Sequence, residues 1–238
     1  MDITLFWAGL IVFIGCFTQG LTGFGLGLVT MAMLPSLIGL HQATPLVALI
    51  GIVLELIMLV RYREALQFKS IWRLLAACVA GIPIGVFYLI RVDEDLALFI
   101  LGVVIILYAL YALIGFRLPR LSHPLWAWLF GITGGVLGGA YNTAGPPVIL
   151  YGNCRRWSPN EFKGRLAGFF LIGSLMAAST HWATGNITSG VASLFIWTLP
   201  ALLLGFLSSQ VMDRWLDPER FRRIVLIVLV LLGIRLMV

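Results

Sequence analysis

Two short runs of small and polar residues interrupt otherwise apolar stretches of the chain: Thr18, Gln19, Thr22, Gly23, Phe24 and Gly25, and later Tyr141, Asn142, Thr143, Ala144 and Gly145. Unwound backbone and helix N-termini expose N–H groups, and with hydroxyl and amide side chains beside them such groups can hold an anion without a lysine or arginine. A positive helix end lowers the cost of desolvating the anion, and the absence of a full positive charge leaves it free to depart. The competing use of the same residues is close helix packing through small side chains. The length of the first apolar run, and Asn142 beside Gly145-Pro146-Pro147, favour the binding reading. Glu55 is the one acid inside an apolar span. It is read either as a proton-coupling group facing a cavity or as a carboxylate near the cytoplasmic end that is hydrogen-bonded or paired with a loop arginine, Arg61 being six residues on. At a repeat offset of 120 its counterpart is Leu175, which makes any role asymmetric.

Other chemistries lack their residues. No HExxH run, Ser-His arrangement or aspartate pair lies at membrane depth, so an intramembrane enzyme is not expected, and no GxxxxGK[ST] phosphate loop is present for ATP. Cys16, Cys78 and Cys154 share no metal-ligand spacing, so no metal, cofactor or disulfide framework is expected. His181 beside Trp182 is read as an interfacial anchor, and Gly81 with Gly85 as a close helix contact.

These residues sit in a chain built for lipid. Of its 238 residues 61% are hydrophobic and 11% charged, well below the roughly 25% charged residues of soluble domains. Apolar segments run over 3–38, 44–60, 71–90, 96–116, 124–151, 166–183, 190–211 and 224–238, most of them near the length that spans a bilayer. Segments 3–38 and 124–151 are exceptions. The first is too long for one helix, and the second contains consecutive prolines, which remove backbone donors and clash with the preceding turn. Both are expected to break near their middles into short half-helices. The N-terminus carries Asp2 and no basic flank before its apolar run, so residues 1–30 are expected to remain in the mature protein.

Loop charge gives the topology, because Lys and Arg are retained on the cytoplasmic side. Arg61, Arg63, Lys69 and Arg73; Arg117 and Arg120; Arg155, Arg156, Lys163 and Arg165; and Arg214, Arg220, Arg222 and Arg223 hold 14 of the 16 basic residues. The acidic turn Asp93-Glu94-Asp95 and the uncharged loops 39–44 and 184–190 are placed outside. This scatter of basic loops forms no continuous nucleic-acid-binding face, and no nucleic-acid partner is expected. With the second and third basic loops on one side, segment 124–151 must enter and return there, and segment 3–38 must do the same from outside. Both termini then lie outside.

The halves repeat. Gly15, Leu21 and Gly23 match Gly131, Leu137 and Gly139 at an offset of 116, while Gly81 and Asp93 match Gly205 and Asp217 at 124. Corresponding loops carry opposite charge character, the mark of inverted repeats. The expected fold is therefore an all-α membrane protein of two inverted-topology repeats, residues 1–116 and 117–238, each a broken re-entrant helix pair plus three transmembrane helices.

Gly20-Leu-Thr-Gly-Phe-Gly running to Pro35, and Gly-Gly-Ala-Tyr-Asn-Thr-Ala-Gly-Pro-Pro from Gly138, at matching places in a duplicated chain, resemble the sulfite exporter TauE/SafE family. The resemblance covers essentially the whole chain. It implies transport of small sulfur-containing anions: sulfite, thiosulfate or organosulfonates such as sulfoacetate and isethionate. Phe24, Leu26, Leu28, Tyr141 and Asn142 interrupt the glycine-richest form of the motifs and favour the broader sulfonate class. The expected protein is a secondary carrier of the bacterial inner membrane that works by alternating access. Its expected partners are a small anion, the lipid bilayer and a coupling ion, proton or sodium, and a homodimer is compatible with the sequence. A passive anion channel, or a carrier for another small organic anion, is the competing reading.

Overall fold

The computed structural model describes residues 3–65, 67–115 and 118–237; Asp2 and Arg117, used above, lie outside the described residues. Among the described residues the secondary structure is helical, with no strand. The helices are α1 (Ile3–Thr22), α2 (Leu26–Met33), α3 (Pro35–Ile38), α4 (Leu40–Tyr62), α5 (Phe68–Arg91), α6 (Glu94–Ile114), α7 (Leu125–Tyr141), α8 (Gly145–Cys154), α9 (Pro159–Ala183), α10 (Ser189–Met212) and α11 (Pro218–Leu236). A 3-10 turn, Arg63–Ala65, extends α4. Among the described residues six helices, α1, α4, α5, α6, α9 and α10, are long and apolar enough to cross a bilayer. Large apolar side chains such as Ile84, Leu107, Leu207 and Leu231 stand exposed around the bundle, as a surface wetted by lipid requires and one wetted by water does not tolerate. The chain is an all-α, multi-pass membrane protein.

Helix ends in the loops are satisfied by their own sequence. Ser158 and Glu161 form a capping box at the start of α9, Thr188 caps α10, and Asp93 and Asp217 cap α6 and α11. The two broken segments differ in this respect, because their breaks lie inside the protein.

The breaks are not central. α1 has 20 residues and α7 has 17, about 30 and 25 Å at 1.5 Å per residue, whereas the return arms α2 and α8 have eight and ten. Each segment is thus a long arm and a short one, not two equal half-helices. The turn is made by left-handed backbone: Gly23 at φ 83°, Gly25 at φ 120° and Asn142 at φ 50°, a conformation open to glycine and tolerated by asparagine. Pro146 and Pro147, expected to disrupt, instead open the first turn of α8, where a missing N–H costs nothing.

The chain enters and leaves the second broken segment at one end of the bundle. Arg155 donates to the carbonyls of Leu121 and Ser122, and Arg156 to that of Leu118, so the residues before α7 and after α8 are tied together. Arg165 donates to Gln67 at 2.9 Å and pairs with Glu161 at 2.5 Å, which brings the α4–α5 connection to the same end. At the opposite end the Leu40 N–H donates to Glu94 at 2.6 Å.

Four helix pairs carry the packing: α5 on α7, α1 on α10, α4 on α9 and α6 on α11. The α5–α7 contact is backbone against backbone. A Cβ on Gly131 would come 2.5 Å from the Leu74 carbonyl, and Gly81 faces the Ile132 carbonyl at 2.6 Å. Gly85 abuts the Val136 carbonyl, Gly135 that of Cys78 and Gly139 that of Ile82. Small residues at four-residue spacing allow this approach and the dispersion that comes with it. Gly131 and Gly139, matched above as repeat residues, act here as packing residues. His181 departs from the interfacial reading: its side chain is fully buried, with Nδ1 3.1 Å from the Asn186 amide, and Trp182 alone is exposed.

Candidate functional site

The two breaks meet. A Cβ on Gly27, in the first turn of α2, would collide with the backbone carbonyl of Asn142, so only glycine lets the first return arm pass the second turn. Between them is a cavity of about 50 Å³ lined by both turns and by the faces of α4 and α9. A water needs roughly 10–15 Å³ of such space, so the cavity holds a few waters or one small oxyanion.

Its donors come from helix ends. An α-helix leaves its first N–H groups without internal acceptors. In α2 the Leu26 N–H donates to Gln19 Oε1 at 2.8 Å; those of Gly27 and Leu28, both on the cavity wall, have no hydrogen-bond partner among the described residues. In α8 the Gly145 backbone lies on the opposite wall. Both return arms thus begin at the cavity, each bringing a partial positive charge of about half a unit. Asn142 and Thr143 add polar groups, as does Ser174 of α9. Among the described residues no lysine or arginine lines the space.

Glu55 completes the wall. It is 2% exposed, Gln19 Nε2 donates to its Oε1, and its Oε2 has no hydrogen-bond partner among the described residues. Arg61 is exposed at the end of α4 and lies against the ring of Tyr62, so Glu55 is not paired with that arginine and is hydrogen-bonded to Gln19 instead. Gln19 therefore links a buried carboxyl to the first turn of α2.

The residues singled out from the sequence divide into three groups. Gln19, Gly25, Asn142, Thr143, Gly145 and Glu55 line the cavity, and Ala144 lines a smaller space of about 30 Å³ that adjoins it across Asn142 and Ser174. Thr18, Tyr141 and Gly23 support the turns from behind. Thr18 spends its hydroxyl on the Ile14 carbonyl at 2.8 Å, and Tyr141 packs edge-on against Tyr88 with the hydroxyls 3.4 Å apart. A Cβ on Gly23 would meet the Lys163 side chain at 3.0 Å. Thr22 and Phe24 face a different space, a cleft at the basic end. The Thr22 hydroxyl is held by the Thr18 and Phe24 carbonyls at 2.9 and 2.5 Å.

Ser174, Gly51 and Phe170 were missed. They lie where α4 crosses α9, with a Cβ on Gly51 falling 2.6 Å from Ser174 Oγ. The backbone angles supply the signal. Aligning the two turns, Gly23 with Asn142, pairs Glu55 with Ser174 and not with Leu175, which is 46% exposed. Two polar residues then come from equivalent places on α4 and α9. Among the described residues no group of three His, Cys, Asp or Glu side chains gathers to hold a metal ion.

Residues 7–236 match the profile described as sulfite exporter TauE/SafE. The chain belongs to the sulfite exporter TauE/SafE family. A protein of Cupriavidus necator described as a probable sulfite/organosulfonate exporter TauE is 28% identical over 234 residues, covering 94% of this chain and 90% of that protein. No solved structure matches. Membership makes this a membrane transporter rather than an enzyme, and places the cavity between the broken helices inside a family of exporters.

Proposed function

We propose that this member of the exporter family is a secondary carrier for one small sulfur oxyanion, sulfite or an organosulfonate such as sulfoacetate or isethionate, seated in the cavity between the two breaks. The observation that carries the reading is the convergence of the α2 and α8 N-termini on one small polar space without a basic residue. Helix-end donors bind singly charged oxyanions through several weak hydrogen bonds and release them readily. Transport by alternating access would move one half, residues 1–116, against the other, residues 117–238, as inverted repeats. The exchanged packing, with α5 on α7 and α1 on α10, supports that division. The clustering of the basic loops at one end supports a cytoplasmic placement of that end in a bacterial inner membrane, both termini opposite.

Glu55 supplies the coupling. A carboxylate and an anion cannot both be charged in so small a desolvated space, so the anion enters with Glu55 protonated and one proton travels with each anion. Gln19 relays the change, since its amide touches both Glu55 and the first N–H of α2.

The test is counterflow of labelled isethionate or sulfite in proteoliposomes, with melting of the purified protein against sulfite, thiosulfate, sulfoacetate, isethionate and carboxylate isosteres. Saturable exchange and stabilisation by the sulfur oxyanions are expected. Flux that never saturates would identify a channel, and stabilisation by carboxylates alone would replace the substrate class.

A further inference from the structure

Outside the central cavity, a polar-lined cleft of about 450 Å³ lies at the basic end, at the ends of α1, α8, α9 and α11. It shares no lining residue with the cavity. The wall between them is the first break: Phe24 faces the cleft and Gly25, its neighbour, faces the cavity. Two cations line the cleft, Lys163 and Arg222, with one carboxylate, Glu219, which is exposed. Among the described residues the ion pairs are Arg165 with Glu161 and Arg220 with Asp217, so neither cleft cation is neutralised by a salt bridge. Both lie against aromatic faces. Lys163 Nζ is 5.6 Å from the Tyr62 ring, and the Arg222 guanidinium is 5.4 Å from the Phe24 ring and beside the Tyr108 hydroxyl.

We propose that Lys163 and Arg222 form a second, peripheral oxyanion site that gathers the transported anion at the basic end and frees Phe24 to admit it. The proposal rests on the carrier reading above and adds a site to it. In water-filled surroundings two unpaired cations attract an anion without the desolvation cost of the interior, and a charge-lined cleft raises local anion concentration. An oxyanion bridging Lys163 and Arg222 makes charge-assisted hydrogen bonds with both. These outweigh a cation–π contact. Arg222 then leaves the Phe24 ring. Phe24, which is buried, then keeps its edge-on contacts with Tyr108 and Phe162, and it lies on a turn flanked by two positive-φ glycines, Gly23 and Gly25. Its displacement would join the cleft to the cavity.

The experiment measures saturable isethionate uptake in proteoliposomes of zwitterionic lipid at several ionic strengths, for the wild type, Lys163→Gln, Arg222→Gln and the double variant. KM for the wild type is expected to rise with salt. In the double variant KM at low salt should be raised roughly five- to tenfold with kcat little changed, and its salt dependence should vanish. Lys163→Gln alone should show part of the effect, and it keeps the proposal testable if Arg222→Gln folds poorly. A double variant that keeps the wild-type salt dependence would overturn the site. So would a salt dependence seen only when anionic lipid is included, because the cleft would then be a seat for a lipid phosphate. If no sulfur oxyanion is transported by any of the four proteins, the carrier reading has failed instead.

Discussion

The two broken helix pairs make the same turn with different residues. In the first, two positive-φ glycines make the bend and a side chain, Gln19, caps the new helix. In the second, a single asparagine in the left-handed region makes it, and Asn142 Nδ2 is fastened to the Thr44 carbonyl at 2.5 Å. The donors differ too. Aligned on the turns, the free N–H groups of Gly27 and Leu28 fall opposite Pro146 and Pro147, which have none, while the capped Leu26 N–H falls opposite the Gly145 backbone. The first pair therefore supplies adaptable donors and a titratable neighbour, and the second a rigid end whose φ angles are fixed by proline. In the site proposed above, the anion would be held on the side that can change.

The largest effect expected from breaking this arrangement is at Gly27, where the pairs touch. Gly27→Val drives a side chain into the Asn142 carbonyl, and backbone does not yield as a side-chain tip does, so the cost exceeds the ~1–3 kcal/mol of ordinary overpacking. Transport should be lost, with the melting temperature of the purified protein reduced. Near-normal melting and transport would show that the two turns are not held together. Glu55→Gln should come next. It keeps the volume and a hydrogen-bonding partner for Gln19 while removing the exchangeable proton. Anion movement driven by an imposed proton gradient should disappear, while counterflow at equilibrium persists; a variant still driven by the gradient would move the coupling elsewhere.

The class of fold was legible because apolar length and loop charge are set by lipid and by membrane orientation, which act on whole segments. The turns were legible as well: Gly23, Gly25 and Asn142 are residues that left-handed backbone selects, and they stand out in apolar runs. The unequal arms were not. Pro146 and Pro147 read as a disruption near the middle of segment 124–151, yet at the first turn of a helix they are stabilising, and the break falls just before them, between Tyr141 and Gly145. Ser174 was hidden by a slip of one residue: an offset of 120 carries Glu55 to Leu175, whereas the turn-to-turn offset from Gly23 to Asn142 is 119 and carries it to Ser174. The match of Gly23 with Gly139 had joined a turn to a packing glycine, since glycine in a membrane helix serves both purposes, and only the φ angles separate them. His181 was misplaced because proximity to a tryptophan in sequence says nothing of which side of the helix faces lipid.

Asn142 allows its two roles to be separated. Asn142→Gly keeps the positive φ and removes the hydrogen bond to Thr44, a loss of about 1 kcal/mol; transport should weaken severalfold with the protein still folded. Asn142→Leu adds the strain of a branched side chain in left-handed backbone, about 1–2 kcal/mol, and should abolish transport. Equal behaviour of the two variants in transport assays and melting would mean that the Thr44 bond, and not the turn, is what matters.

The smallest effect is expected at Ser174, and it bears most directly on the comparison. If the anion sits toward the α2 end, Ser174 on α9 meets it only as one hydroxyl among several donors, opposite Glu55 across the α4–α9 crossing. Ser174→Ala should then raise KM for the transported anion about two- to fivefold, the loss of one modest hydrogen bond, and leave the response to a proton gradient intact. Ser174→Val, which fills space beside Gly51, should do more by closing the cavity. Should Ser174→Ala instead abolish the gradient response while sparing KM, the proton path would run across the crossing from Glu55 to α9. The second half would then supply more than a rigid helix end.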